Sequence, residues 1–128
     1  MCGITGGWWP DRPAALDDKL AQALTAMQRR GPDDRGYELY QTVSGTAALG
    51  HTRLSIIDLS AAGHQPMHSL DAVVSIVFNG EIYNYRELRA ELEPLGHRFV
   101  SGSDTEVLLA AWRQWGRGSL RRLVGMFA

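Results

Sequence analysis

Cys2 is the residue of this sequence best suited to carry out chemistry. It is the only cysteine among 128 residues and directly follows Met1. If Met1 is removed, one residue carries both a thiol and an α-amine, a weak base that is partly neutral at about pH 8. An N-terminal amine that takes the proton of its own side chain is a known way to activate a nucleophile. The alternative is a small apolar residue in a buried strand, since free cysteine is among the most buried residue types.

Metal and nucleotide chemistry have weaker support in the sequence. His64 and His68 are four residues apart, but Pro66 lies between them and disfavours the helix that would bring both imidazoles to one side. We therefore predict no metal site. The sequence also lacks a Gly-x-x-x-x-Gly-Lys-Ser/Thr phosphate-binding loop.

Composition predicts one globular domain with no nucleic-acid or membrane partner. Apolar residues make up 45% of the chain, charged residues 21%, and the formal net charge is −1. Such a balance lacks the basic surface that nucleic acid needs. No apolar run approaches the roughly 18 residues of a membrane span. A single cysteine and the absence of a secretory signal predict a cytoplasmic location.

The elements that must position Cys2 begin with a short apolar strand over residues 2–8, which we expect to be buried. Leucines at helical spacing predict a helix from Leu16 to about residue 30. Arg29 and Arg30 would form its basic last turn, and Gly31-Pro32 would end it. Three further strands are predicted over residues 36–41, 46–57 and 72–78, the last covered on both faces.

The C-terminal half reads as helices after a turn at Asn79-Gly80. One helix is expected to start at Asn84, and Ser103 with Glu106 predicts a capping box for the next. The tryptophans of that helix are expected to be core residues, and a last short helix is expected around residues 119–124. Strands that come in runs rather than in strict alternation with helices predict an α+β fold with a mainly antiparallel sheet.

Five segments together resemble one family. They are Met1-Cys2-Gly3-Ile4, Arg30-Gly31-Pro32-Asp33-Asp34, Gly50-His51-Thr52-Arg53-Leu54-Ser55-Ile56, Asn79-Gly80-Glu81-Ile82-Tyr83-Asn84 and Ser101-Gly102-Ser103-Asp104-Thr105-Glu106. Their order and spacing are similar to the glutaminase domain of class II, N-terminal-nucleophile glutamine amidotransferases. More narrowly, they resemble glutamine-hydrolysing asparagine synthetases.

The resemblance implies an αββα N-terminal-nucleophile sandwich that is incomplete over residues 1–128. It implies hydrolysis of glutamine to glutamate and ammonia, with the ammonia used to make asparagine from aspartate. An ATP-dependent synthetase domain of the same protein would be the partner, and a homodimer is possible. No cofactor is implied for the glutaminase domain, whereas ATP and magnesium would belong to the absent synthetase domain.

The resemblance also implies roles for individual residues. Cys2 would attack the glutamine side chain, while the Asn79 side chain and the Gly80 amide would bind the oxyanion. Local sequence alone would favour a plain turn at Asn79-Gly80. Arg53 would bind the substrate carboxylate through its guanidinium, a geometry that lysine cannot reproduce. Its alternative is a surface arginine on a strand.

Further pocket residues follow from the same resemblance. Asp104 would pair with the substrate ammonium, although an acidic residue in a first helical turn is also favoured by the helix dipole. Glu81 and the segments at Leu54 and Ile56 would line the pocket, and His51 would lie either behind the site or in the core.

Two rival functions remain open at this stage. One is a related transferase with another ammonia acceptor. The other is a catalytically silent domain that binds a ligand or partner, against which the presence of Cys2 and Asn79 counts.

Overall fold

A computed structural model describes residues 1–128. The chain forms two compact units and passes between them several times. Unit 1 comprises Met1–Ser55, His64–Pro66 and Val77–Asn79. Unit 2 comprises Ile56–Gly63, Met67–Ile76 and Gly80–Ala128.

Unit 1 contains a three-stranded antiparallel sheet. Its strands are β1 (Gly3–Trp9), β2 (Asp34–Thr42) and β3 (Gly45–Arg53), in the order β1-β3-β2. The predicted first strand is confirmed, but its expected burial is wrong: Ile4 is 38% exposed and Trp8 is 53% exposed. Both side chains lie on the face opposite Ala48, the strand residue that packs against the helix of this unit.

One helix, α1 (Leu16–Ala26), packs against this sheet. Its leucines at helical spacing are buried, and Leu16 and Leu20 form a cluster with Ala48 of β3. The helix ends at Ala26, so the predicted basic last turn is wrong. The reason is that the backbone turns after Met27: the Arg30 amide donates to the Met27 carbonyl in a tighter turn.

The two faces of β3 have different neighbours, because successive side chains of a strand alternate between faces. Thr52 lies on the α1 face, where its hydroxyl donates to the Met27 carbonyl. His51 and Arg53 therefore lie on the opposite face. Gly3 pairs with Thr52 across the sheet, so the preceding residue, Cys2, belongs to the same face as Arg53. This second face carries the chemistry-bearing side chains of unit 1.

Strand β3 ends at Arg53 rather than at residue 57, as predicted. The Ser55 amide leaves the ladder and donates to the Asp33 carboxylate at 2.8 Å. A side chain thus takes the bond that a neighbouring strand would have taken.

Unit 2 combines two packed helices with two small antiparallel sheets. The helices are α2 (Tyr85–Leu92) and α3 (Asp104–Trp115). The sheets pair β4 (Met67–His68) with β5 (Ser75–Ile76) and β6 (Gly80–Ile82) with β7 (Gly125–Phe127). Three 3-10 helices complete the unit: Ala61–Gly63, Glu93–Leu95 and Gly116–Arg121.

The central strand predicted over residues 72–78 is wrong. Only Ser75–Ile76 is a strand, because the preceding residues form the turn between β4 and β5. The Ser69 amide donates to the Val74 carbonyl at 2.8 Å, and the Ala72 amide donates back to the Ser69 carbonyl at 2.7 Å. Two β-forming residues, Val73 and Val74, are thereby used in a turn.

Three other local predictions are corrected in unit 2. Trp112 is 39% exposed rather than in the core, since the buried side of α3 is formed by Val107, Leu109 and their neighbours. The predicted capping box does not form: the Ser103 hydroxyl caps the helix by accepting from the Thr105 amide at 3.1 Å, while the Glu106 carboxylate binds Val100 and Ser101. The last short helix is the 3-10 turn Gly116–Arg121.

Helices and antiparallel sheets together confirm the α+β prediction. The finer αββα sandwich stays a prediction. No helix has both the length and the apolar composition that crossing a membrane would require.

Candidate active site

The Cys2 thiol lies at the start of β1, against the backbone that follows β3. The Leu54 amide donates to Cys2 Sγ at 3.4 Å, and the thiol donates to the Leu54 carbonyl at 3.7 Å. Arg30 Nε donates to the Cys2 carbonyl at 3.0 Å. A thiolate at this position would keep the amide contact and strengthen it, since a charged acceptor makes the shorter and stronger bond. Leu54 therefore acts on Cys2 through its backbone.

Arg53 is the last residue of β3 and is 7% exposed. Its side chain and Cys2 belong to the same face of the sheet. A guanidinium stays charged at all working pH values and suits a carboxylate. The geometry therefore brings a thiol and a guanidinium to one end of one sheet.

The loop that follows α1 fixes this end of the sheet. A Cβ on Gly31 would come within 2.3 Å of the Thr52 carbonyl carbon and 2.5 Å of the Arg53 nitrogen, so only glycine fits there. Asp33 then donates its amide to the Arg53 carbonyl at 3.0 Å and accepts from the Ser55 amide. From the sequence, the segment at residues 30–34 is expected only to end the helix at Gly31-Pro32. In the structure it holds the backbone of residues 53–55.

Asn79 belongs to unit 1 and follows Phe78, whose backbone is held entirely by side chains. His51 Nε2 lies 3.1 Å from the Phe78 carbonyl, and the Phe78 amide donates to Gln65 Oε1 at 2.6 Å. His51 is on the same face of β3 as Arg53. Asn79 itself is half-buried.

Burial determines the charge state of His51. The imidazole is 0% exposed, and its desolvation lowers its pKa to about 4. The nearby Arg53 charge lowers this pKa further, while the bond to Phe78 opposes the shift. A carbonyl can only accept, so Nε2 carries the hydrogen and Nδ1 is left as a buried acceptor without a partner. His51 is thus a neutral donor at neutral pH.

Gly80 begins β6 in unit 2 and pairs with Phe127 of β7. The Tyr83 amide donates to the Val124 carbonyl at 2.7 Å. Because hydrogen-bonded and non-bonded pairs alternate along an antiparallel ladder, the Gly80 amide points away from β7. A Cβ on Gly80 would lie 2.3 Å from the Met126 carbonyl oxygen, so the close neighbour that requires glycine is β7.

Asp104 lies on the side of β6 that faces away from β7, the side to which the Gly80 and Ile82 amides point. Its Oδ2 accepts from the Ile82 amide at 2.9 Å, and the residue is 5% exposed. Burial raises the pKa of this carboxyl, and the Glu81 charge acts in the same direction. The hydrogen bonds to backbone amides oppose the rise. A cation beside Asp104 would therefore be stabilised, because it would offset the cost of a buried charge.

Asn84 holds the entry to β7. Its Nδ2 donates to the Arg122 carbonyl at 2.8 Å, and its Oδ1 accepts from the Val124 amide at 2.9 Å. No side-chain cap forms on α2, so the predicted helix-starting role of Asn84 is limited to its position before Tyr85. The side chain instead fixes the register of β7 against β6.

Within its unit, each group of candidate residues is brought together. Unit 1 joins Cys2, Arg53 and Leu54 at one sheet end, and Asn79 follows Phe78, whose carbonyl is bound by His51. Unit 2 joins Gly80, Glu81 and Asp104. Ile56 is a 58% exposed residue of unit 2 and makes none of the contacts described above. The chain has no group of three or more His, Cys, Asp or Glu side chains that could hold a metal ion.

Comparison with known proteins gives a consistent set of relatives. A family model described as a glutamine amidotransferase domain matches residues 1–128. The chain is 44% identical over 131 residues to glutamine-hydrolyzing asparagine synthetase 1 of Bacillus subtilis (strain 168). This match covers 100% of the chain and 20% of that relative. It is 45% identical over 142 residues to a putative glutamine-hydrolyzing asparagine synthetase of Mycobacterium tuberculosis (strain ATCC 25618 / H37Rv), with 100% and 21% coverage.

A relative with a different name also matches. The chain is 40% identical over 111 residues to Amidase chyE of Penicillium rubens, which covers 87% of the chain and 16% of that relative. The chain thus spans about a fifth of the length of these curated relatives.

Proposed function

Because the chain belongs to the glutamine amidotransferase domain family, we propose that it hydrolyses glutamine to glutamate and ammonia through a thioester on Cys2. The observation that carries this proposal is the Cys2 thiol, held by the Leu54 amide on the same face of the sheet as Arg53.

The first step is attack of Cys2 Sγ on the side-chain amide carbon of glutamine. The α-amine of a processed Cys2 takes the thiol proton and passes it to the leaving nitrogen. The carbon–sulfur bond forms, the carbon–nitrogen bond breaks, and ammonia departs. Water then attacks the thioester with the same amine as base, which releases glutamate and regenerates the thiol.

Negative charge develops on the amide oxygen in both steps. We assign its stabilisation to the Asn79 side chain and the Gly80 amide. The orientation of the Gly80 N–H away from β7 supports this assignment, because the amide has no strand partner. A single donor aimed at such an oxyanion is worth about 2.7–4 kcal/mol.

We assign the amino-acid end of glutamine to Arg53 and Asp104. The Arg53 guanidinium would bind the α-carboxylate, and the buried Asp104 carboxylate would bind the α-ammonium. Glu81 and the Leu54 backbone would line the pocket, with Ile56 as the weakest candidate.

The ammonia is proposed to pass to a synthetase domain of the same protein, for ATP-dependent synthesis of asparagine from aspartate. The names and the lengths of the two asparagine synthetase relatives support this step. ATP and magnesium are assigned to that domain, as the resemblance to asparagine synthetases implies.

A different ammonia acceptor is the second candidate. The relative named Amidase chyE supports this candidate, because it is 40% identical to this chain and its name is not that of an asparagine synthetase. The acceptor can be identified by offering aspartate and ATP to the full-length gene product and measuring asparagine.

Replacement of the nucleophile tests the proposed hydrolysis. We expect Cys2→Ala in the full-length gene product to abolish glutamate release, because the change removes the proposed nucleophile and residues 1–128 hold no other thiol. The change removes one half-buried sulfur, so the melting temperature should stay within a few degrees. Thr5→Ser, an equally small change on β1, is the matched control and should retain activity. Turnover by the Cys2→Ala protein would exclude the thioester, and ligand binding without turnover in the wild type would favour a silent domain.

A further inference from the structure

We propose that His51 is a positioning residue for the hydrolysis: by holding the Phe78 carbonyl, it orients Asn79 toward the developing oxyanion. This inference rests on the proposed function. His51 lies 27 positions before Phe78 in sequence, and both belong to unit 1.

The covalent geometry of the peptide carries the effect from one residue to the next. The Phe78 carbonyl and the Asn79 nitrogen are parts of one planar peptide group. A bond from His51 Nε2 to that carbonyl, at 3.1 Å, therefore fixes the plane from which the Asn79 side chain projects. The amide of Phe78 is held separately by Gln65.

No regular strand provides this restraint. Residues 77–79 belong to no strand, and Phe78 is 4% exposed, so water is excluded from its polar backbone. Unbonded, the carbonyl would be a buried group with no partner, which is costly and rare. Without the imidazole the peptide plane would rotate to find another donor, and Asn79 would rotate with it.

If packing were the only role of His51, histidine would destabilise the fold relative to an apolar residue. Its Nδ1 atom is buried without a partner, a cost that an apolar side chain of similar size would avoid. What the imidazole supplies and an apolar side chain cannot is the Nε2–H donor. The ring stays neutral at neutral pH, so the donor is offered without a second buried charge near Arg53.

Kinetics of His51 variants in the full-length gene product test the proposal. We expect His51→Leu and His51→Phe, which lack the donor, to lower kcat for glutamine hydrolysis about 10–100-fold with KM changed less than threefold. An interaction that acts only in the transition state has this signature. His51→Gln, whose amide nitrogen can donate to the same carbonyl, should recover kcat to within about fivefold of wild type. His97→Gln in unit 2 is the matched control and should change neither parameter.

Two further measurements distinguish positioning from general damage. Alkylation of Cys2 by iodoacetamide needs no oxyanion site, so its rate should be unchanged in all four variants. Inhibition by glutamate γ-semialdehyde, which forms a tetrahedral adduct with a thiol, should weaken in the Leu and Phe variants by the same factor as kcat falls. Thermal melting identifies variants that do not fold. The kinetics of whichever of His51→Leu and His51→Phe folds are then compared with those of His51→Gln.

Three outcomes would overturn the inference. The first is unchanged kcat in a folded variant without the donor. The second is equal loss in the Gln and Leu variants, which would indicate that packing alone matters. The third is slower alkylation in step with kcat, which would place the defect at the thiol. Failure of the proposed function would look different. In that case the wild-type protein would release no glutamate, or the Cys2→Ala protein would still release it.

Discussion

The nitrogen of Cys2 is as important to the proposed chemistry as its sulfur. While Met1 is attached, that nitrogen belongs to a peptide bond and cannot accept a proton. Met1 itself is 60% exposed, within reach of a processing enzyme.

We therefore predict that glutaminase activity rises in proportion to the fraction of chains from which Met1 has been removed. Intact-mass analysis gives that fraction, and glutamate release from the same preparations gives the activity. A preparation that retains Met1 and is fully active would contradict the role of the amine.

Arg53 and Asn79 should affect different kinetic parameters. Arg53→Lys replaces a two-pronged donor with a single charge in both ground and transition states, so KM should rise about tenfold or more. Asn79→Ala removes a donor used mainly in the transition state, so kcat should fall about 10²–10³-fold. Steady-state kinetics on both variants decide the matter. Equal changes of one parameter in both would mean that the roles are assigned incorrectly.

At the scale of elements, the loop after α1 acts as a clamp on the end of β3. Gly31→Ala should destabilise the fold by about 1–3 kcal/mol, because its Cβ would meet backbone atoms that cannot move independently. It should also reduce kcat/KM, since Arg53 and Leu54 would shift. Gly118→Ala is the matched control, because its added Cβ has nothing within 4 Å. Denaturant unfolding and glutaminase assays test both, and equal stability of the two variants would exclude the clamp.

Local sequence patterns predicted the elements that depend on contacts between residues close together in the sequence. The helical leucine spacing of α1 and the hairpin of β2 and β3 are examples. The strand expected over residues 72–78 was not predictable in this way, because a turn closed by Ser69 competes for the same residues. High β-propensity indicates that a residue suits a pleated, half-buried surface. It does not show whether a turn will include that residue instead.

The candidate site shows the same division. Cys2 and Arg53 could be proposed as site residues from their types and motifs. The bond between His51 and Phe78 could not, because it joins residues 27 positions apart whose approach depends on the fold. The burial of Asp104 was equally invisible, since it requires Ile82 to present an amide from another element.

At the scale of the whole molecule, His51 makes stability depend on pH. Its pKa is lowered from 6.5 in the unfolded chain to about 4 in the folded one. The unfolded state therefore binds more protons between these values, and stability falls as pH decreases from 6.5 to about 4. The expected loss is about 3 kcal/mol. Above pH 6.5 the contribution of His51 is complete and constant.

Chemical denaturation at several pH values measures this dependence. His51→Gln removes the titrating group, so the variant should lose less stability than wild type over this pH range. Identical slopes for the two proteins would show that the imidazole does not titrate as proposed.

The pairing of β6 with β7 has a consequence for the order in which the molecule assembles. β2 and β3 are joined by a two-residue turn and can pair early, whereas Asn84 and Val124 lie 40 residues apart. Closing such a long loop costs more entropy than closing a hairpin, so β6 and β7 are expected to pair late. A chain leaving its synthesis site would then carry a formed hairpin before the Gly80 amide has been oriented. The pairing of β1 with β3 closes a loop of similar length, since Gly3 lies opposite Thr52, so the Cys2 thiol would likewise be placed only after the hairpin has formed.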